Sequence, residues 1–191
     1  MTLPKIDQGF KTDEMEVVFE RIQTAQHSYL DELLSLYRES FPPEERRITE
    51  RLLGMLAEPQ MYFSAIISGK EPAGLIIYWI FDGFVYLEHL AVSPAMRGKG
   101  IGEEALIILQ QTGLPILLEV EIPLDSEGLK RMNFYHKCGF STLKVPYVQP
   151  PYREGESTPD MMLFSDKADW EAEILTRFIG LFQTEVYYSR H

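Results

Sequence analysis

The chain has a single cysteine, Cys138, in 191 residues. One thiol can make no internal disulfide, so nothing asks for an oxidising compartment. Long apolar runs are missing as well. The longest, residues 73–81, falls far short of the ~20 residues that span a bilayer. The N-terminal stretch shows no basic segment followed by an apolar run, so no secretory leader is read there. Positive charge is scarce: 18 Lys and Arg stand against 29 Asp and Glu, a net charge of −11. That balance disfavours non-specific binding to nucleic acid or to an anionic membrane. A soluble cytoplasmic protein is the expectation, its acidity serving either solubility or the attraction of a cationic substrate. His27, His89, His136 and His191 have no metal-ligand spacing with one another or with Cys138, so no metal is expected. No repeat, low-complexity tract or Gly/Ser linker divides the chain, and no G-x-x-x-x-G-K-[ST] phosphate loop occurs.

What is present is ordinary globular composition, 45 % hydrophobic and 25 % charged, in one domain's length. Residues 15–22 read as a first strand. Leu30, Leu33, Leu34, Tyr37 and Phe41 share one helical face, and Pro42-Pro43 must end that helix. A second helix is expected from 44 to about 57, with its acids in the first turn. Strands follow at 61–68, 73–81 and 85–92, then a helix at 102–111 and a strand at 115–121. A helix over 126–137, ended by Gly139, precedes strands at 140–148 and 160–165. From residue 167 a closing helix carries Trp170, Ile174, Phe178 and Leu181 on one face. Leu175, Ile179, Phe182 and Val186 widen that face. Such breadth calls for burial on more than one side, against its own domain or against a second copy in a homodimer. The pattern predicts an α/β or mixed α+β domain over 1–166 with a central mixed sheet flanked by helices, and an extra C-terminal helix over 167–191.

Residues 85–106, VYLEHLAVSPAMRGKGIGEEAL, carry the chemistry. A strand ends at Val92, Pro94 interrupts pairing, and Arg97-Gly98-Lys99-Gly100-Ile101-Gly102 opens a helix. Glycines let backbone approach a ligand, and the N–H groups of a helix start suit a diphosphate. Arg97 and Lys99 add local positive charge to an acidic chain. A dinucleotide fingerprint is the rival: Gly100-x-Gly102-x-x-Ala105 fits G-x-G-x-x-A, with Glu119 and Glu121 about 20 residues on. Seven residues, 93–99, separate the strand from Gly100, whereas a dinucleotide turn follows its strand tightly. The chain also lacks room for two mononucleotide halves.

The run Val92-Ser93-Pro94-Ala95-Met96-Arg97-Gly98-Lys99-Gly100-Ile101-Gly102 resembles motif A of the GCN5-related N-acetyltransferase (GNAT) superfamily, V-x-P-x-x-R-G-x-G-x-G. Asn133-Phe134-Tyr135-His136-Lys137-Cys138-Gly139-Phe140 is similar to that family's motif B. The resemblance spans residues 16–165 and leaves the last ~25 residues uncovered. It implies acetyl-CoA or another acyl-CoA as cosubstrate, no metal, and a small-molecule or peptide amine as acceptor. The pantetheine would pair with Leu90, Ala91 and Val92. The diphosphate would rest on Arg97, Gly98, Lys99, Gly100, Ile101, Gly102, Glu103 and Glu104. Asn133 would reach the pantetheine, and Tyr135 would lie near the thioester sulfur as general acid.

For the base, Glu88 stands where many members of the family carry an acid; its other reading is a satisfied structural carboxylate. Strand alternation places Tyr86 on the face of Glu88 and turns His89 to the opposite one. Glu119 and Glu121 share a face of the next strand and could join a water network near the acceptor. Glu44 and Glu45 could hold a cationic amine, or serve as a solvated first helical turn. Tyr152 and Arg153 could overhang the acceptor. Cys138 and His136 diverge on a helix, which excludes a thiol–imidazole pair. The implied activity is direct acetyl transfer to a primary amine. The alternative is an acyl-CoA-binding sensor or scaffold without turnover.

Overall fold

The computed structural model describes residues 16–153, 155–156, 158 and 160–188. Met15 of the expected first strand and His191 lie outside them. The strands β1 (Val17–Arg21), β2 (Met61–Ser68), β3 (Glu71–Phe81), β4 (Phe84–Val92), β5 (Ile116–Glu121), β6 (Ser141–Thr142) and β7 (Met161–Ser165) form one sheet. Its order is β1-β2-β3-β4-β5-β7-β6. Every neighbouring pair is antiparallel except β4–β5. A single parallel pair is no doubly wound sheet, so the dinucleotide reading loses its scaffold.

Helices cover both faces. Helices α1 (Leu30–Ser40), α2 (Thr49–Gly54) and α5 (Ala172–Phe182) pack on one, where Phe63, Ile77, Trp79, Phe84, Tyr86 and Leu117 point. Helix α3 (Ile101–Gln110) and Phe140, which follows helix α4 (Ser126–Lys137), pack on the other, over Ile76, Val85, Leu87, Leu118 and Phe164. Helix α4 has the expected bounds. Asp125 caps it by accepting from Gly128 N at 2.8 Å, and Gly139 leaves it with φ +87°.

Three elements differ from the sequence expectation. The second helix is broken into a 3₁₀ turn, Pro43–Glu45, and the short α2, because Arg46 is extended. Arg46 Nε donates to Phe41 O, and Arg47 turns inward to 1 % exposure. The strand expected over 140–148 is only Ser141–Thr142. Beyond it the side chains of Tyr147 and Gln149 turn to a carboxylate on β5. The closing helix starts at Ala172 and ends in a π-helical turn, Gln183–Tyr188. Leu175, Phe178, Phe182, Val186 and Tyr187 are its buried residues, whereas Leu181 is exposed. Phe178 stacks on Phe84 and Phe182 on Tyr86, both with centroids 4.3 Å apart. The segment is therefore built into the domain's own core, and burying each such ring contributes roughly 2–3 kcal/mol.

A β-bulge decides the geometry of β4. Ile77 pairs with His89 and Tyr78 with Leu87, which leaves Glu88 as the extra residue. Alternation changes phase there. Phe84 and Tyr86 point to the α1 face before the bulge; His89, against Tyr37 and Phe41 of that face, and Ala91 do so after it. The bulge thus reverses the expectation that His89 opposes Glu88.

Candidate active site

Parallel pairing of β4 with β5 lasts for only three residue pairs, Val85 to Leu87 against Ile116 to Leu118. Past them β4 continues to Val92 and β5 to Glu121 without bonding to each other. Two strands that part leave backbone N–H and C=O groups that must find other partners. A cleft of about 640 Å³ opens there. Leu90, Ala91 and Val92 line it along β4, and Glu119 and Glu121 along β5.

One end of the cleft is the glycine loop. Arg97, Gly98, Gly100, Ile101, Gly102 and Glu103 line it. Gly98 and Gly100 have φ of +76° and +79°, which L side chains rarely adopt, and both face open space. Gly100 is the residue that caps α3, so the first N–H groups of that helix have no intrahelical partner. Gly102 has a packing reason: a Cβ there would sit 3.1 Å from Phe134 Cζ of α4. Lys99 is exposed, touches Met96 Sδ and does not line the cleft.

Helix α4 contributes Arg131, Phe134 and Tyr135. Phe134 and Phe140 lie edge-on to the Tyr135 ring at 5.2 and 6.0 Å. Burial pushes the Tyr135 hydroxyl up to about 12, against a smaller opposing pull from Arg131. That phenol therefore stays protonated at neutral pH. Asn133, on the same helix, is exposed and does not line the cleft; the helix turns it outward.

The other end is built from β4, β5, the 43–45 turn, Gln149 and Tyr152, with Tyr187 of the C-terminal segment behind them. Glu88 does reach the cleft wall, with three donors on its carboxylate. Arg47 Nη1 pairs with Oε1, Trp79 Nε1 donates to Oε2 at 2.7 Å, and Tyr152 Oη donates to Oε1 at 3.0 Å. Three donors thus satisfy a carboxylate excluded from solvent. That arrangement fits the structural reading of Glu88 better than a role as base.

Glu119 has a different setting. Tyr86 Oη, Tyr187 Oη and Gln149 Nε2 donate to its Oε2 at 2.8, 2.6 and 3.0 Å, and Tyr147 Oη donates to its Oε1. No cation pairs with it among the described residues. Burial raises its pKa to about 7, and the hydrogen bonds from Tyr187, Tyr86 and Gln149 restrain the rise. Oε1 carries one donor against three on Oε2, so the unused lone pair lies on Oε1. Tyr86 is buried and does not line the cleft; it acts on the site through Glu119.

Glu45 and Glu121 line the rim. Burial raises the pKa of Glu45, and the charge of Glu121 adds to the rise. Arg131 Nη1 lies 3.5 Å from Glu121 Oε2. Glu44 is exposed and off the cleft, as a solvated turn would place it. Tyr152 is in the wall and 4 % exposed, whereas Arg153 ties to Glu156 and Pro43 O. Sequence reasoning passed over Arg47, Tyr147, Gln149 and Tyr187. One signal was legible: in ILLEVE, Glu119 occupies the inward phase set by Leu117. Among the described residues no group of three or more His, Cys, Asp or Glu side chains could hold a metal ion. None of the described helices is long and apolar enough to cross a membrane.

Comparison with known proteins points one way. A model of the acetyltransferase (GNAT) family matches residues 27–140. The Bacillus subtilis (strain 168) protein named "Putative acetyltransferase YjbC" is 30 % identical over 142 residues, which is 72 % of this chain and 72 % of that protein. A solved structure from Bacteroides thetaiotaomicron, titled "Putative acetyltransferase from GNAT family", has 35 % identity and a TM-score of 0.80. It covers 90 % of this chain and 99 % of its own. The ribosomal-protein-S18-alanine N-acetyltransferase of Escherichia coli shares the fold at 15 % identity. Its TM-score is 0.55, over 82 % of this chain and 97 % of that one.

Proposed function

This chain belongs to the GNAT acetyltransferase family, and we propose that it moves the acetyl group of acetyl-CoA directly to a primary amine in the cleft between β4 and β5. The observation that carries this reading is one cleft lined at once by the glycine loop, by Tyr135 and by Glu119.

The residues present fit an acyl-CoA. Leu90, Ala91 and Val92 offer the unpaired edge of β4 to the pantetheine amides. Gly98, Gly100 and Gly102, with the free N–H groups at the start of α3 up to Glu103, suit the diphosphate, and Arg97 adds charge. Lys99 contributes charge from outside the wall. The acyl-CoA supplies an activated acetyl group on a thiol leaving group.

Glu119 Oε1 takes a proton from the acceptor ammonium, directly or through a water, and frees the nitrogen lone pair. A new N–C bond forms at the thioester carbonyl, the C–S bond breaks, and the nitrogen gives its second proton to water as Glu119 returns the first to solvent. Backbone N–H groups of the parted β4 edge stabilise the oxyanion that develops. Tyr135 gives its proton to the departing sulfur and is reprotonated from solvent, so amide and free CoA thiol leave the cleft. Arg47, Trp79 and Tyr152 hold Glu88 as a strut, which fixes the bulge from which Leu90, Ala91 and Val92 depart. Glu45 and Glu121 attract the cationic acceptor at the rim.

The test is thiol release from acetyl-CoA with a panel of small amines, with mass spectrometry of the product. N-acetylated amine in step with free thiol is the expected result. Binding of acetyl-CoA without turnover on any amine would favour a sensor or scaffold instead.

A further inference from the structure

Two buried polar atoms on the acceptor wall have no hydrogen-bond partner, and both offer only a lone pair. Gln149 is 4 % exposed and lines the cleft. Its amide nitrogen donates to Glu119 Oε2 at 3.0 Å and to Tyr187 Oη at 2.9 Å. Glu119 demands a donor, so this network orients the amide and leaves Gln149 Oε1 without a partner. His89 is also 4 % exposed and lines the cleft. Its Nε2 lies 2.9 Å from Glu45 O, which can only accept, so Nε2 carries the proton. His89 Nδ1 is then a bare lone pair, unpartnered and 3.5 Å from Glu88 Oε1. Burial keeps that ring neutral, with a pKa lowered to about 3.

These two points are joined along one wall. The His89 ring stacks on Tyr152 at 6.1 Å, and Tyr152 lies against Tyr187 at 4.8 Å. Tyr187 in turn holds Gln149. Aromatic surface therefore separates one acceptor point, Glu119 Oε1 with Gln149 Oε1, from another at His89 Nδ1. Glu45 and Glu121 place negative charge at the rim.

Resting on the acetyl-transfer reading above, we propose that the acceptor is a small linear diamine, with one nitrogen at Glu119 and Gln149 and the other at His89. A primary ammonium sets one N–H on Glu119 Oε1, which takes that proton, and a second on Gln149 Oε1, so the freed lone pair remains for the thioester. A hydroxyl has one proton and would leave an acceptor unmet. The methylene chain lies on the Tyr152 ring, and the second nitrogen donates to His89 Nδ1. An α-amino acid would bring its carboxylate against the lone pairs of Glu119 and Gln149.

Thiol release by the full-length wild-type protein is compared for diaminobutane, butylamine, glycine and a lysine-containing peptide, with CoA affinity measured by calorimetry on the same sample. Diaminobutane is expected to exceed butylamine by about tenfold or more in kcat/KM, with glycine inert, as when a site loses a hydrogen-bonding partner. His89→Phe brings the diamine-to-monoamine ratio towards one. Gln149→Met raises the diamine KM, and CoA affinity reports its folding. Butylamine or the peptide matching diaminobutane in wild type would overturn the proposal without any variant. If CoA binds and butylamine reacts equally well, this inference alone fails. If CoA does not bind, the acetyl-transfer reading fails with it.

Discussion

Arg47 Nη1 meets Glu88 Oε1 in an ion pair whose two side chains are wholly excluded from solvent. Arg47 also donates through Nη2 to Val186 O at 2.6 Å, so one guanidinium ties the β4 bulge to the C-terminal turn. Breaking a buried pair by removing one partner strands a charge, which costs about 3–5 kcal/mol.

Glu88→Gln should therefore lower unfolding free energy by about 3–5 kcal/mol in urea titrations. At permissive temperature it should keep most of its kcat. A stable Glu88→Gln protein without turnover would restore Glu88 as the base.

Tyr135→Phe should cut kcat by about a hundredfold or more, the usual worth of a general acid. CoA affinity should hold, because among the described residues no hydroxyl bond of Tyr135 supports the loop. Steady-state kinetics and calorimetry on one sample make the separation.

Tyr187→Phe removes a donor to Glu119 from a segment beyond the family match. Fewer donors favour the neutral carboxyl, so the acidic limb of the pH–rate profile should move to higher pH. A purely structural role would lower stability and leave the limb in place.

His89 gives a stability prediction. Its pKa falls from 6.5 unfolded to about 3 folded, so the stability it contributes is full above 6.5 and fades as pH drops towards 3. Between about pH 7 and pH 5 this removes on the order of 2 kcal/mol. Glu119 works in the opposite sense: raised from 4.5 to about 7, its contribution is full below 4.5 and fades as pH rises through 7. Comparing wild type with His89→Phe cancels the Glu119 contribution. The variant's urea midpoint should fall less than that of wild type over this range.

Local signals were legible in the sequence. The bounds of α4, the glycine loop and the strand before it rest on caps, periodicity and turn chemistry within a few residues. The acceptor end was not, because it depends on long-range pairing. The bulge at Glu88 follows from register against β3, and no feature of YLEHLA announces it. The donors to Glu119 come from residues 86, 147, 149 and 187; alternation singled out Tyr86, and the other three are ordinary polar or aromatic residues in their own segments. The helix expected over 44–57 failed for the same reason: Arg47 reads as a solvated helical charge until its partner Glu88 is known.

The most direct measurement is the pH–rate profile of thiol release from acetyl-CoA for wild type and Glu119→Gln. Wild-type kcat/KM should rise about tenfold per pH unit on the acidic side and level off near pH 7, where Glu119 loses its proton. Glu119→Gln should lose that limb and about a hundredfold or more of the rate. A Glu119→Gln enzyme with the wild-type rate and the same limb would contradict the account.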